Sequence, residues 1–160
     1  MRKFLLSTSF ITALLFSGCT TNSALKHFEN KELNANALQF TKKSDIIVDN
    51  EPKVQFFATY LNLAQKDNDK EIESFLIGVY LVNQKNQNFL QQGYTLTLNG
   101  QEALAEPLEI SPKSLMVKSL PIKNPWGKYY IAHFPQQEDF KLTLTLEKTN
   151  LPKAVLEYEK

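Results

Sequence analysis

The chain has 160 residues, 42% hydrophobic and 22% charged, which suits one globular domain and excludes a disordered chain. Its formal net charge of +1 gives no strong field to draw nucleic acid. The single cysteine, Cys19, excludes an internal disulfide framework.

Arg2 and Lys3 form a basic start, and thirteen mostly apolar residues follow from Phe4 to Phe16. That run fits the hydrophobic region of a secretory signal. A spanning helix needs about 20 apolar residues, so this stretch is too short to remain as one. Ser17 and Gly18 are small, and Cys19 comes next.

Basic start, apolar run, small pair and cysteine, in that order, resemble the precursors of bacterial lipoproteins. The matching stretch is Leu15-Phe16-Ser17-Gly18-Cys19. Phe16 departs from the family's usual leucine. The resemblance implies removal of residues 1–18, a thioether-linked diacylglycerol on Cys19 and an acyl chain on its amine. No other cofactor is expected. One buried acyl chain anchors marginally, whereas two or three hold stably without a spanning helix. Losing Arg2 and Lys3 leaves 16 basic against 17 acidic side chains, a formal charge of −1, so the anchor needs no basic patch. Thr20 follows the cysteine where an aspartate would resemble an inner-membrane retention signal, which favours the outer membrane.

Residues 19–44 read as the lipidated N-terminus and a tether. From Thr20 to Ser44 there is neither proline nor glycine, and the apolar residues are thinly spaced. A flexible chain of 25 residues spans about 25–30 Å, enough to hold a domain off the membrane.

Residues 45–160 read as the folded domain. All seven prolines lie beyond residue 51, between apolar runs, as strand punctuation should. Val54 to Leu63 and Ile72 to Val82 are rich in aromatic and branched residues. The polar stretch Gln65–Lys70 between them reads as a hairpin loop. Phe75 to Val82 is apolar throughout apart from Gly78, so it is expected to be a central strand buried on both faces. Tyr94 to Leu98 alternates and runs into Asn99-Gly100, a pair suited to a tight hairpin. Leu108 to Ile110, Leu115 to Leu120, Lys128 to Phe134 and Lys153 to Tyr158 are further strands. Phe140 to Glu147 alternates most cleanly, with Phe140, Leu142, Leu144 and Leu146 on one face.

This pattern predicts an all-β protein, an immunoglobulin-like β-sandwich of about seven to eight strands. Six Phe, six Tyr and Trp126 are available beyond residue 45 to fill it. The inter-sheet cysteine pair of antibody domains is absent, and Trp126 comes late in the chain. In overall plan the chain resembles small immunoglobulin-like lipoproteins of Gram-negative bacteria.

Catalytic signals are sparse, and no enzyme is expected. The histidines are His27, in the tether, and His133, which reads as a structural or surface residue on a strand. No G-x-S-x-G stretch and no phosphate-binding glycine loop occurs. Asp67, Asn68, Asp69 and Glu71 cluster oxygen donors but lack the spacing of an EF-hand, so a solvated loop is the better reading. Candidate interaction residues are Trp126, Tyr129 and Tyr130, beside the turn Asn124-Pro125-Trp126-Gly127. Trp126 is read either as a plug at the end of the sandwich, the favoured alternative, or as an exposed anchor. The functional expectation is a lipid-anchored interaction or accessory module with a protein partner in the envelope or a host ligand. The alternative is a small-ligand or glycan binder using the aromatics near Trp126.

Overall fold

The computed structural model describes residues 36–64 and 71–160. The stretch read as a signal peptide, Cys19, most of the stretch read as a tether and residues 65–70 lie outside the described residues. Residues 36–40 are helical and lead into nine strands. These are β1 (Thr41–Val48), β2 (Glu51–Tyr60), β3 (Ile72–Leu81), β4 (Thr95–Leu98), β5 (Gln101–Glu102), β6 (Leu108–Ile110), β7 (Lys128–Pro135), β8 (Lys141–Glu147) and β9 (Ala154–Glu159). Two short helices interrupt them, α1 (Leu61–Ala64) and α2 (Leu115–Ser119). No helix among the described residues is long and apolar enough to cross a membrane.

The strands form two antiparallel sheets, one ordered β1-β2-β3-β7-β6 and the other β5-β4-β8-β9. Alternation puts every second side chain into the space between them. Phe56, Phe75, Ile77, Phe134 and Tyr130 enter from the first sheet. Leu98, Leu142, Leu144, Leu146 and Leu156 enter from the second. The all-β sandwich is thus as the strand pattern predicts. The connections differ from an immunoglobulin domain, in which strands A, B, E and D face C, F and G. Here the first three strands are a meander within one sheet.

The strand expected to be buried on both faces is β3. Its second face packs with Phe57, Leu61, Val117, Leu120 and Tyr129 in a separate apolar cluster. The chain between β6 and β7 supplies Val117 and Leu120 and covers that face. The outer face of the second sheet carries Thr97, Thr143 and Thr145 and the ion pair Lys141–Glu157, at 2.8 Å. The hairpin at Asn99-Gly100 is also as expected. Both residues have positive φ, 48° and 79°, and Leu98 pairs with Gln101 across the turn.

Four local expectations are corrected. Leu115 to Leu120 is not a strand but holds helix α2, because the Ser114 side chain accepts the Val117 N–H and starts a helical turn. Strand β2 ends at Tyr60, and Leu61 and Ala64 are buried three residues apart on α1. Phe140 precedes β8 and is exposed instead of joining the core face of Leu142. Strand β1 begins at Thr41, inside the stretch read as tether, and pairs with β2 along its whole length. Its register shifts between Ile46 and Ile47, a bulge on the edge of the first sheet.

Candidate binding site

The expected aromatic trio does not share a surface. Tyr129 and Tyr130 are 2% and 1% exposed. They are neighbours on β7, so they point to opposite faces, and both faces are covered. Tyr129 joins the outer cluster beside Phe57, with ring centroids 6.1 Å apart. Tyr130 meets Phe89 edge-on in the main core, at 4.9 Å. Burial, and then the Glu109 carboxylate, push its phenol up to about 12. Neither tyrosine is exposed enough to contact a partner, which corrects the expectation for both.

Trp126 is the opposite case. It is 71% exposed, so the plug reading is corrected. Its turn is held from several sides. The Asn124 carboxamide oxygen accepts the Trp126 N–H at 2.9 Å, and the Gly127 N–H donates to the Asn124 carbonyl. The Tyr129 hydroxyl accepts the Asn124 N–H at 2.9 Å and donates to its carbonyl at 3.0 Å. A side chain on Gly127 would put its Cβ 2.8 Å from the Val79 carbonyl oxygen, so only glycine lets the turn lie this close to β3. The indole is left tilted against the Tyr80 ring, 6.4 Å between centroids, with its other face open.

A second candidate lies where the sheets part on the side of β5 and β6. Strand β5 ends at Glu102, and the chain then crosses to the first sheet, where the Leu104 N–H donates to the His133 carbonyl at 2.8 Å. This crossing leaves an open groove of about 510 Å³ beside β4. That size lies within the range of small-ligand sites, about 300–1,000 Å³. Leu90, Leu96, Ala103 and Pro107 give it an apolar lining, while Glu102 and Glu106 add carboxylates. Neither carboxylate has an ion pair among the described residues. No sequence signal announced this groove, because its walls come from three separate segments.

Two polar clusters bind strands together. Glu73 is 2% exposed at one end of the core. It accepts the Tyr60 hydroxyl at 2.5 Å and the Gln137 N–H at 3.2 Å, and pairs with Lys160 at 2.6 Å. Burial pushes this carboxyl up, but the three partners outweigh it and hold it below the ordinary carboxylate value. The second cluster is the cross-strand pair Ser74 and His133. The serine Oγ lies 2.9 Å from the imidazole Nδ1. Ser74 is fully buried and also fastened through its N–H to Asn62. A nucleophile must reach substrate and its base needs an orienting group. The buried serine does not meet the first condition. No carboxylate hydrogen-bonds His133 among the described residues. The pair joins β3 to β7.

No three His, Cys, Asp or Glu side chains are grouped to hold a metal among the described residues. Glu71 lies within them, while the rest of the acidic stretch 67–69 lies outside. Comparison with family models, curated proteins and solved structures finds no match to this chain.

Proposed function

We propose that this chain is a non-enzymatic lipoprotein of the cell envelope, anchored in the outer membrane through acyl chains on Cys19. It presents its β-sandwich as an interaction module to an envelope protein or a host ligand. The reading rests on one observation, the ordered run from Arg2 through Phe4–Phe16 and Ser17-Gly18 to Cys19. Intact mass of the purified protein tests it. The expected product starts at Cys19 and carries diacylglycerol plus one amide-linked acyl chain. Cys19→Ser should abolish that mass and release the protein from membranes. A product that starts at Met1 with a free thiol would overturn the assignment. Protease shaving of intact cells then separates a surface-facing domain, which is cut, from a periplasmic one, which is protected.

A second reading is favoured by the exposed indole. Trp126 on its clamped turn has the form of an aromatic anchor, amphipathic and costing little entropy to order. A glycan or small ligand stacked there would quench its fluorescence.

A further inference from the structure

We propose that the connection between β6 and β7 is a membrane-docking surface, which lays the outer face of the first sheet against a leaflet containing anionic phospholipid. Acyl chains would hold the protein to lipid, and this surface would set which side of the domain meets it. That a membrane is at hand rests on the lipoprotein reading; the surface itself does not.

Residues 111–127 leave β6, cross the outer face of the first sheet and return to β7. Between Glu109 and Glu138 the chain holds four lysines, Lys113, Lys118, Lys123 and Lys128, and no acidic residue. The rest of the chain keeps 14 basic against 17 acidic side chains, so positive charge is concentrated here. Lys128 pairs with Glu109 at 2.7 Å. Lys113, Lys118 and Lys123 are exposed, and none has a carboxylate partner among the described residues. An anionic leaflet supplies the missing counter-charge.

Charge alone would suit any anion, but the same connection turns apolar groups to solvent. Val117 and Leu120 are buried against the sheet, while Leu115 and Trp126 are 67% and 71% exposed. Lysine interleaved with leucine and an indole is the composition of a surface that lies in the membrane interface. Tryptophan settles at the headgroups, leucine enters the acyl boundary, and lysine stems lie along apolar surface with their ammonium groups at the phosphates. The turn bonds of Asn124 and Tyr129 hold Trp126 in place before any contact is made.

The N-terminal end of the described chain meets the same face. The Asn36 carboxamide donates to the Ala64 carbonyl at 3.4 Å, and Ala37 lines a small apolar recess with Leu61, Met116 and Leu120. Leu38, next in the chain, is exposed. Cys19 lies seventeen positions before Asn36, so the segment that would carry the acyl chains joins the domain beside α2. Tether entry, unpaired lysines and outward apolar groups thus fall on one side of the sandwich.

The test places the purified full chain in vesicles of phosphatidylcholine, alone or mixed with phosphatidylglycerol, and reads Trp126, the sole tryptophan. The acyl chains hold the protein to both kinds of vesicle. Only the anionic ones should blue-shift the emission, shield it from acrylamide and let lipids brominated on their acyl chains quench it, and salt should reverse all three. Lys113→Glu with Lys118→Glu and Lys123→Glu should lower the ratio of docked to undocked protein by roughly a hundredfold, since each lysine near such a surface contributes about fivefold. Lys141→Glu with Lys148→Glu and Lys153→Glu, on β8 and the chain between β8 and β9, makes the same change in net charge and should leave the signals unaltered. If the first triple disturbs the circular dichroism spectrum, Lys113→Gln with Lys118→Gln and Lys123→Gln replaces it, with a smaller loss expected. Equal signals on neutral and anionic vesicles, no quenching by brominated lipid, or unchanged signals after either replacement on the connection would overturn the proposal. So would equal shielding by polyglutamate without lipid, which would assign the surface to an acidic protein. Acylation is read from mass; if it is absent, the same vesicles are added to the protein in solution and the same signals decide, so the anchor and the docking surface can fail separately.

Discussion

The Tyr158 hydroxyl donates to the Ala58 carbonyl at 2.6 Å, so a side chain of β9 reaches across the core to the backbone of β2 in the opposite sheet. The same ring meets Phe75 edge-on, 5.3 Å between centroids, and lies tilted against Tyr60 at 6.0 Å. Tyr158→Phe should keep the packing and lose the hydrogen bond. The expected cost is about 1–2 kcal/mol, since a buried polar group loses a partner. Urea melts of the two proteins measure it. An unchanged midpoint would remove the bond from the list of stabilising contacts.

Gly78 and Phe57 form a second close relationship. They face each other across β2 and β3, and a Cβ on Gly78 would lie 2.1 Å from Phe57 Cζ. The ring occupies the space a side chain would need. Gly78→Ala should therefore destabilise by about 1–3 kcal/mol through overpacking, despite the better strand propensity of alanine. Adding Phe57→Leu should recover part of the loss. A double-mutant cycle shows this as coupling, and strict additivity would refute the steric account.

Acid should weaken the Glu73 cluster. The folded carboxyl titrates below its ordinary value, so its stabilisation is fully present above the ordinary carboxylate range, near pH 4.3. It is lost as pH falls through the folded value. Glu73→Gln should cost about 2–4 kcal/mol at neutral pH, because Lys160 loses its partner. Below that range the gap between wild type and variant should narrow. Thermal melts across a pH series give both numbers.

Trp126 is the sole tryptophan, which makes its exposure easy to measure. Acrylamide should quench native fluorescence nearly as well as it does in denaturant. Trp126→Ala should shift stability by less than about 1 kcal/mol, as surface changes usually do. If envelope glycans quench the native protein, this variant should lose their binding. Quenching of the native protein by no glycan would remove the second functional reading.

Much of the sandwich was legible because one-sided burial leaves a period of two. Strands β8 and β9 show it plainly, with Leu142, Leu144, Leu146 and Ala154, Leu156, Tyr158 inward. The continuous apolar run of β3 likewise announced burial on two faces. Strand β1 was hidden because only Ile46 is fully buried and the four residues before it, Lys42 to Asp45, are all polar. Helix α2 was misread because Leu-Met-Val is as apolar as a strand. The available sign was Ser114 before the run, with Val117 and Leu120 three apart. Trp126 was misplaced because a chain pattern does not show that Gly127 presses the turn onto β3 and leaves the indole outside. The groove depends on where β5 stops, and the chain pattern does not show that length.

The bulge at Ile46 and Ile47 bears on how copies of this protein meet one another. An eight-residue edge strand is long enough to recruit a neighbouring chain into a continuous ribbon. Here the kink interrupts the row of pairing groups, and Lys42 places a charge on the strand. Crowded side by side, such molecules would slide past each other instead of zipping into fibres.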